Sequence, residues 1–208
     1  MALRYWSRML FITHLLPLLR ARPASGSSYK PRVVNVLATG YESANILLDD
    51  LGLTTPANFS VSNVIAADTT MTTLTMSRLA RESENEDITF IHHNPGPVKT
   101  DLLKRGWAEG SWGLKLITLA KPLMALVMRN VEEAGERILY MMASAQYGGS
   151  GVEAKLGLTM SKTEKKDVFL VDKDQECIFH EKIIAQLRDK NADEMVQQKT
   201  EDVLKPYC

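Results

Sequence analysis

The chain has 208 residues, of which 45% are apolar and 24% charged, and its 25 basic and 25 acidic residues give a net charge of zero. This length and composition are typical of one globular domain with a substantial core. The balanced charge, with no concentrated basic stripe, argues against a nucleic-acid-binding surface. Two cysteines, Cys177 and Cys208, are too few for a disulfide framework and favour a reducing compartment, so we expect a cytoplasmic protein.

The N-terminal segment admits two interpretations. No acidic residue precedes Glu42, while several arginines and two short apolar runs do, which imitates a mitochondrial or secretory targeting peptide. His14 and Pro17 interrupt the apolar runs, which are too short to span a membrane. The alternative, which we prefer, is an amphipathic helix over residues 3–20 followed by a loop, so that residues 1–30 form a helix plus loop.

A βαβ unit is predicted next. Residues 32–37 are a short β-branched run, typical of a strand buried on both faces of a parallel sheet. Residues 61–83 show the three-and-four apolar spacing of a helix, at Val64, Ala67, Met71 and Leu74. A second strand follows at 88–93, and a strand–helix–strand order of this kind makes the two strands parallel.

The second strand stops abruptly at Pro95 and Gly96, and a conformationally restricted polar loop continues to Thr100. Ligands bind just beyond the carboxyl ends of the strands in open α/β sheets, so this loop is a candidate ligand contact. An ordinary turn is the alternative. The adjacent His92 and His93 point to opposite faces of a strand and do not form a metal pair, and no metal site is predicted.

The remaining elements complete a single domain over residues 1–208. We predict two short helices within 114–128, a helix opening at Val131, a glycine-rich loop near residue 150 and a last strand at 167–171. Residues 173–208 are predicted to form a C-terminal helical tail. The loop that carries Trp107 and Trp112 suggests a further alternative, a small-molecule binding module.

In this order, the elements resemble the second half of a short-chain dehydrogenase/reductase. The resemblance covers roughly residues 4–172 and rests on the first helix, the strand at 32–36, the Leu-Ala that ends the second helix, and two motifs: Asn94 to Thr100 and Glu132-Glu133-Ala134-Gly135. The chain is most similar to the retinol-dehydrogenase-like group of fungal reductases of secondary metabolism. The resemblance implies an α/β fold with a Rossmann-like parallel sheet and flanking helices, with the N-terminal cofactor half missing.

The resemblance also implies a function. Members use NADP or NAD to reduce a carbonyl or oxidise an alcohol of a small molecule. By position, Pro95 and Gly96 would shape the cofactor loop, while the backbone of Val98 and the hydroxyl of Thr100 would meet the nicotinamide carboxamide. The helices at 3–20 and 61–83 would form a homodimer interface.

The sequence departs from that family at the catalytic positions. The family's serine, tyrosine and lysine fall at Ala38, Ile65 and Thr69, and its glycine-rich phosphate turn would precede every element seen here. An enzyme would therefore need another proton donor, for which Thr39 and Tyr41 are candidates and His93 a further one. The alternative function is that of a catalytically inactive or truncated homologue that acts through dimerisation, or a non-functional fragment.

Overall fold

The computed structural model describes residues 1–21, 30–100, 119, 128–148, 151–164 and 166–207. A three-stranded, wholly parallel sheet in the order β1–β2–β3 is flanked by helices, which confirms the predicted α/β, Rossmann-like class. The strands are β1 (Arg32–Val36), β2 (Thr89–His93) and β3 (Phe169–Val171). The expected pair of helices within 114–128 and the Trp107/Trp112 loop lie outside the described residues.

Five α-helices pack around this sheet in the described ranges. They are α1 (Ser7–Arg20), entered through a π-helical turn at Ala2–Trp6, then α2 (Val61–Arg81), α3 (Val131–Ala143), α4 (Glu181–Asp189) and α5 (Ala192–Leu204). Helix α2 falls where the apolar periodicity places it and begins at Ser60, whose hydroxyl accepts a hydrogen bond from the Asn63 amide.

The two faces of the sheet carry separate apolar clusters, because side chains alternate along a strand. Phe90 and Leu170 face α1, α2 and α5 in the larger cluster. Ile91 and Phe169 face the other way, where Met141 of α3 packs against them. The sheet therefore forms the middle layer between the two clusters.

Helix α2 lies at the centre of the larger cluster. Nearly every residue from Ala67 to Ala80 is buried, including a run of threonines on the faces that the apolar spacing leaves polar. Helix α5 covers this side, with Val196 and Leu204 buried in the same cluster. The C-terminal segment is thus packed against the core, which its polar sequence does not indicate.

Helix α3 has a narrower apolar face than its composition suggests. We expected Ile138, Leu139, Met141 and Met142 to form the core side. Met141 is buried and Ile138 packs against its cluster, but Leu139 and Met142 are exposed. Adjacent helical residues lie about 100° apart, so neighbouring pairs cannot both face the same sheet.

Candidate functional site

The carboxyl ends of all three strands meet at Asn94. Its backbone amide donates to the Val171 carbonyl at the end of β3 (3.0 Å), and its side-chain Nδ2 donates to the Thr39 carbonyl beyond β1 (2.9 Å). Its Oδ1 accepts the Gly96 amide at 2.9 Å, an Asx turn that starts the predicted loop. The loop at 95–100 is therefore held at the edge of the sheet where open α/β folds bind ligands.

The conformation of this loop requires a glycine at position 96. Its φ of +69° lies in the left-handed region, and a Cβ there would sit 3.0 Å from Lys173 Cβ and 3.1 Å from Arg129 Nη1. Pro95 immediately before it restricts the backbone further. The Pro-Gly pair thus sets a path for the chain that other residue types would not adopt without strain.

Val98 presents its backbone away from the sheet. It forms an isolated parallel bridge with Arg129, made by Arg129 N to Pro97 O and Lys99 N to Arg129 O, both 2.9 Å. In this pattern the Val98 amide and carbonyl point away from Arg129. The carbonyl accepts the Thr100 amide at 2.8 Å, whereas the amide meets no backbone acceptor within the described part of the chain. The Val98 amide is thus available to donate a hydrogen bond beside the exposed Thr100.

Ala38, the position that the resemblance gives to the serine, lies just beyond β1, and Ile65 and Thr69 lie on α2. Ala38 and Ile65 are half-buried, and neither can donate a proton from its side chain. Thr69 is fully buried, and its hydroxyl donates to Asp68 (3.3 Å). Asp68 in turn pairs with Arg4 from the π-helical turn before α1. The family's lysine on α2 is therefore absent, and the nearby cation, Arg4, is paired with the buried carboxylate of Asp68.

The candidates Thr39 and Tyr41 differ in their surroundings. Thr39 is buried, and its hydroxyl donates to Glu42 Oε1 at 2.8 Å. Tyr41 is 61% exposed, with no side-chain hydrogen bond to any described residue. In the described chain, no side-chain hydrogen bond joins either residue to the loop at 95–100. The backbone carbonyl of Thr39 accepts a hydrogen bond from Asn94, which directly precedes that loop.

Glu42 is a fully buried carboxylate next to these candidates. Oε1 accepts the hydroxyls of Thr39 and Thr73, each at 2.8 Å, and Oε2 accepts the Gly40 amide at 2.7 Å. Three donors thus take the place of water around a buried negative charge, which would otherwise be very costly to bury. Glu42 joins the loop after β1 to the middle of α2.

The two strand histidines face opposite sides of the sheet, as the sequence predicts. His92 Nδ1 lies 2.9 Å from Thr73 Oγ1, and because that hydroxyl donates to Glu42, His92 donates to it from Nδ1. Burial lowers the pKa of His92 to about 4, so the ring is neutral near pH 7. His93 contacts the Val171 carbonyl on the other face, and burial lowers its pKa too.

Sequence reasoning missed three residues of this region: Asn94, Glu42 and His180. An asparagine directly before Pro-Gly is a signal for an Asx turn, so Asn94 could have been found. Glu42 and His180 are far apart in the chain, yet Oε2 of the first lies 3.3 Å from Nε2 of the second, and no local pattern indicates that contact.

Other kinds of site find less support in the described ranges. They contain no group of three or more His, Cys, Asp or Glu side chains placed to hold a metal ion. No described helix has both the length and the apolar character required to cross a bilayer. A groove of about 640 Å³ lies between α1, α2 and α5, and no residue of the strand-end loop at 95–100 lines it.

Comparison with known proteins finds similarity to fungal oxidoreductases. The chain is 32% identical over 205 residues to the NmrA-like family domain-containing oxidoreductase notO of Aspergillus sp. (strain MF297-2), covering 98% of this chain and 56% of that protein. It is 37% identical over 165 residues to Oxidoreductase andH of Emericella variicolor, covering 79% and 44%. The chain is therefore similar to proteins named as fungal oxidoreductases.

A further relative is named for the family suggested by the motifs. The Short-chain dehydrogenase/reductase SAT2 of Stachybotrys chartarum is 32% identical over 154 residues, which cover 72% of this chain and 40% of that protein. The chain spans about half the length of the curated relatives it matches. No family model matches the chain, and no solved structure matches it.

Proposed function

We propose that the protein is an oxidoreductase of the short-chain dehydrogenase/reductase type that interconverts a carbonyl and an alcohol of a small molecule in fungal secondary metabolism, with NADP or NAD as cofactor. The observation that carries this proposal is the strand-end loop at 95–100, which offers a backbone amide and a hydroxyl at the ligand-binding edge of the sheet. The oxidoreductase relatives support the same reaction class.

The loop fits the nicotinamide end of such a cofactor. The Val98 amide can donate to a carboxamide oxygen. Thr100 lies two residues on, and its hydroxyl is the second group of the loop that we propose for contact with the carboxamide. When bound, the cofactor supplies the hydride; the residues of the loop hold and orient the ring.

The described residues include fewer groups that could bind the phosphates of a dinucleotide than groups that could bind its nicotinamide. A pyrophosphate is normally gripped by glycine-rich backbone at a helix N-terminus after a strand. Helices α2 and α3 begin without such a turn in the described chain, at Ser60 and Asn130. We therefore expect this chain to bind a dinucleotide weakly, mainly through its nicotinamide end.

A titration tests the proposal. NADPH and NADH are added separately to the purified chain, and nicotinamide fluorescence is followed to saturation. Thr100→Val should weaken binding because it removes one polar contact to the carboxamide, worth about 0.5–1.5 kcal/mol or up to roughly tenfold in affinity. The matched control is Thr13→Val, an exposed threonine on α1, which should bind as the native chain does. Absence of binding by the native chain at millimolar cofactor would contradict the proposal.

A second function is favoured by the replacement of serine, tyrosine and lysine by Ala38, Ile65 and Thr69. The protein would then be an inactive homologue that acts by pairing with another copy or with a related chain. Saturable cofactor binding with no turnover of a ketone panel would favour this second function, whereas turnover would exclude it.

A homodimer and a cytoplasmic location complete the proposal. Helix α2 is largely covered by α5, so the expected interface would use α1, whose outward side exposes Phe11, Leu15 and Leu18. The location is proposed because Cys177 is a free thiol and cysteines are few.

A further inference from the structure

We propose that Glu42 and His180 form the proton-transfer pair of this site, with His180 as the group that meets the carbonyl oxygen and Glu42 as its positioning residue. The inference rests on the proposed carbonyl/alcohol chemistry. It supplies the proton donor that Ala38, Ile65 and Thr69 cannot provide.

The carboxylate of Glu42 lies against the imidazole of His180. His180 Nε2 is 3.3 Å from Glu42 Oε2, a charge contact rather than a hydrogen bond, since this buried nitrogen has no hydrogen-bond partner in the described chain. The His180 side chain is 20% exposed, whereas that of Glu42 is wholly buried. The carboxylate therefore faces Nε2, and the opposite ring nitrogen, Nδ1, is left at the surface. A carboxylate behind an imidazole is the usual arrangement for orienting an acid/base histidine.

His180 rather than His92 balances the charge of Glu42. His92 also lies near, with Nδ1 3.9 Å from Oε1, but its ring is enclosed and the Thr73 hydroxyl lies between the two groups. Burial keeps His92 neutral near pH 7, since its pKa is lowered to about 4. His180, whose side chain is 20% exposed, is consequently the imidazole beside Glu42 that solvent and substrate can reach.

A cavity beside His180 gives access for a substrate. His180 lines this cavity, of about 430 Å³, together with Lys162 and Phe179. The volume is in the range of small-molecule sites. Lys162 Nζ is 5.6 Å from the centre of the Phe179 ring and 2.6 Å from Glu181 Oε1, so the cavity that His180 lines has an aromatic wall and a cation paired with a carboxylate. The cavity suits a carbonyl compound with an apolar or aromatic body.

A chain of hydrogen bonds links the pair to the nicotinamide loop. Glu42 accepts the hydroxyl of Thr39, whose carbonyl accepts the Asn94 side chain, and Asn94 accepts the Gly96 amide. A Cβ added to Gly40 would lie 3.7 Å from Ile178 Cδ1, so the segment leading to His180 packs against the loop after β1. The proton donor and the cofactor loop are thus held by one continuous set of contacts.

The reaction balances with these groups. In carbonyl reduction, the protonated His180 gives one proton to the carbonyl oxygen, which takes up the electron pair of the breaking C=O π bond. A reduced nicotinamide held by the loop at 95–100 would supply the hydride for the carbonyl carbon and would itself be oxidised by two electrons. His180 ends neutral and regains its proton from solvent, and Glu42 remains a carboxylate throughout.

Carbethoxylation of histidine tests the pair without cofactor or substrate. The chain has four histidines. Of these, His92 and His93 are buried and His14 is exposed, so His14 serves as the internal reference. The native chain is treated with diethyl pyrocarbonate at pH 8, and each site is followed by peptide mass spectrometry. We expect His180 to react several-fold faster than His14 although it is less exposed, because Glu42 holds the ring and enriches Nδ1 in electrons.

Two matched variants separate this effect from simple accessibility. Glu42→Gln should slow the reaction of His180 to the rate of His14 or below. Glu181→Gln should leave it unchanged, because Glu181 is adjacent in sequence but pairs with Lys162. A native His180 no faster than His14 overturns the proposal, as does a fast His180 that is indifferent to Glu42. Since no cofactor is present, these outcomes are independent of the nicotinamide titration, which alone decides the proposed function.

Discussion

Gly96 determines whether the strand-end loop can form. Gly96→Ala places a side chain at φ +69° and 3.0 Å from Lys173 Cβ, so we expect a loss of about 1–3 kcal/mol in the free energy of unfolding. Urea denaturation measures this loss. The matched control is Gly135→Ala in α3, where a Cβ meets nothing within 4 Å and the helix should gain about 1 kcal/mol. Equal effects of the two substitutions would contradict the described loop conformation.

His92 makes stability depend on pH. Its pKa is about 4 in the folded chain against a usual 6.5, so between these values the unfolded chain binds more protons. The contribution of neutral His92 to the free energy of unfolding is complete above pH 6.5 and is lost as the pH falls towards 4. The expected loss from this residue is about 2 kcal/mol between pH 7 and pH 5.

Urea unfolding at the two pH values checks this expectation. His92→Gln should reduce the pH dependence, even if it lowers stability at both values. His93, whose pKa burial also lowers, contributes in the same direction and should account for part of the remaining slope. His14→Gln, at an exposed position, should leave the slope as it is in the native chain. An unaltered slope in His92→Gln would show that His92 is not the neutral buried group described.

At the scale of elements, one tyrosine joins three helical segments. The hydroxyl of Tyr5, before α1, lies 2.7 Å from Thr75 of α2 and 2.8 Å from Thr200 of α5, and burial raises the pKa of Tyr5 to about 12. Tyr5→Phe leaves these buried partners incompletely bonded, so we expect a loss of about 1–3 kcal/mol. Tyr207→Phe, at an exposed ring, should change stability by less than about 0.5 kcal/mol. Thermal and urea unfolding compare the two, and equal effects would argue against the docking of α5.

Much of this fold could be predicted from the sequence, for identifiable reasons. The three-and-four spacing at Val64, Ala67, Met71 and Leu74 indicates α2, and the β-branched runs before and after it indicate the parallel strands β1 and β2. The turn at Pro95 and Gly96 follows from the local chemistry of those residues. These signals are local, and a single sequence records them directly.

What the sequence did not predict depends on contacts between distant segments. The buried threonines of α2 read as a polar face, yet Thr73 contacts Glu42 and His92, and Thr75 contacts Tyr5. Glu42 looks like an ordinary loop residue, since its partners Thr73 and His180 come from α2 and the C-terminal part of the chain. The cofactor loop could therefore be proposed from sequence, whereas the proton-transfer pair required the structure.

At the scale of the whole molecule, the outward side of α1 tests the proposed homodimer. Leu18 is 69% exposed, on the same side as Phe11 and Leu15, and burying such a surface would favour association. We expect the native chain to sediment as a dimer and Leu18→Glu as a monomer. The control is Leu139→Glu on α3, where the leucine is 64% exposed and the dimer should persist. A native chain that is monomeric at high concentration would contradict this interface.

In the proposed function, the loop at 95–100 receives the nicotinamide end of a cofactor. The most direct test follows the backbone amide of Val98 by ¹⁵N–¹H NMR while NADPH, NADH and, separately, adenosine 2′,5′-bisphosphate are added. We expect a saturable shift of the Val98 amide with the reduced nicotinamide cofactors and none with the adenosine compound, which lacks the nicotinamide. This role of the loop would be contradicted if the Val98 amide resonance did not shift while other amide resonances did. It would also be contradicted if no resonance shifted at millimolar cofactor.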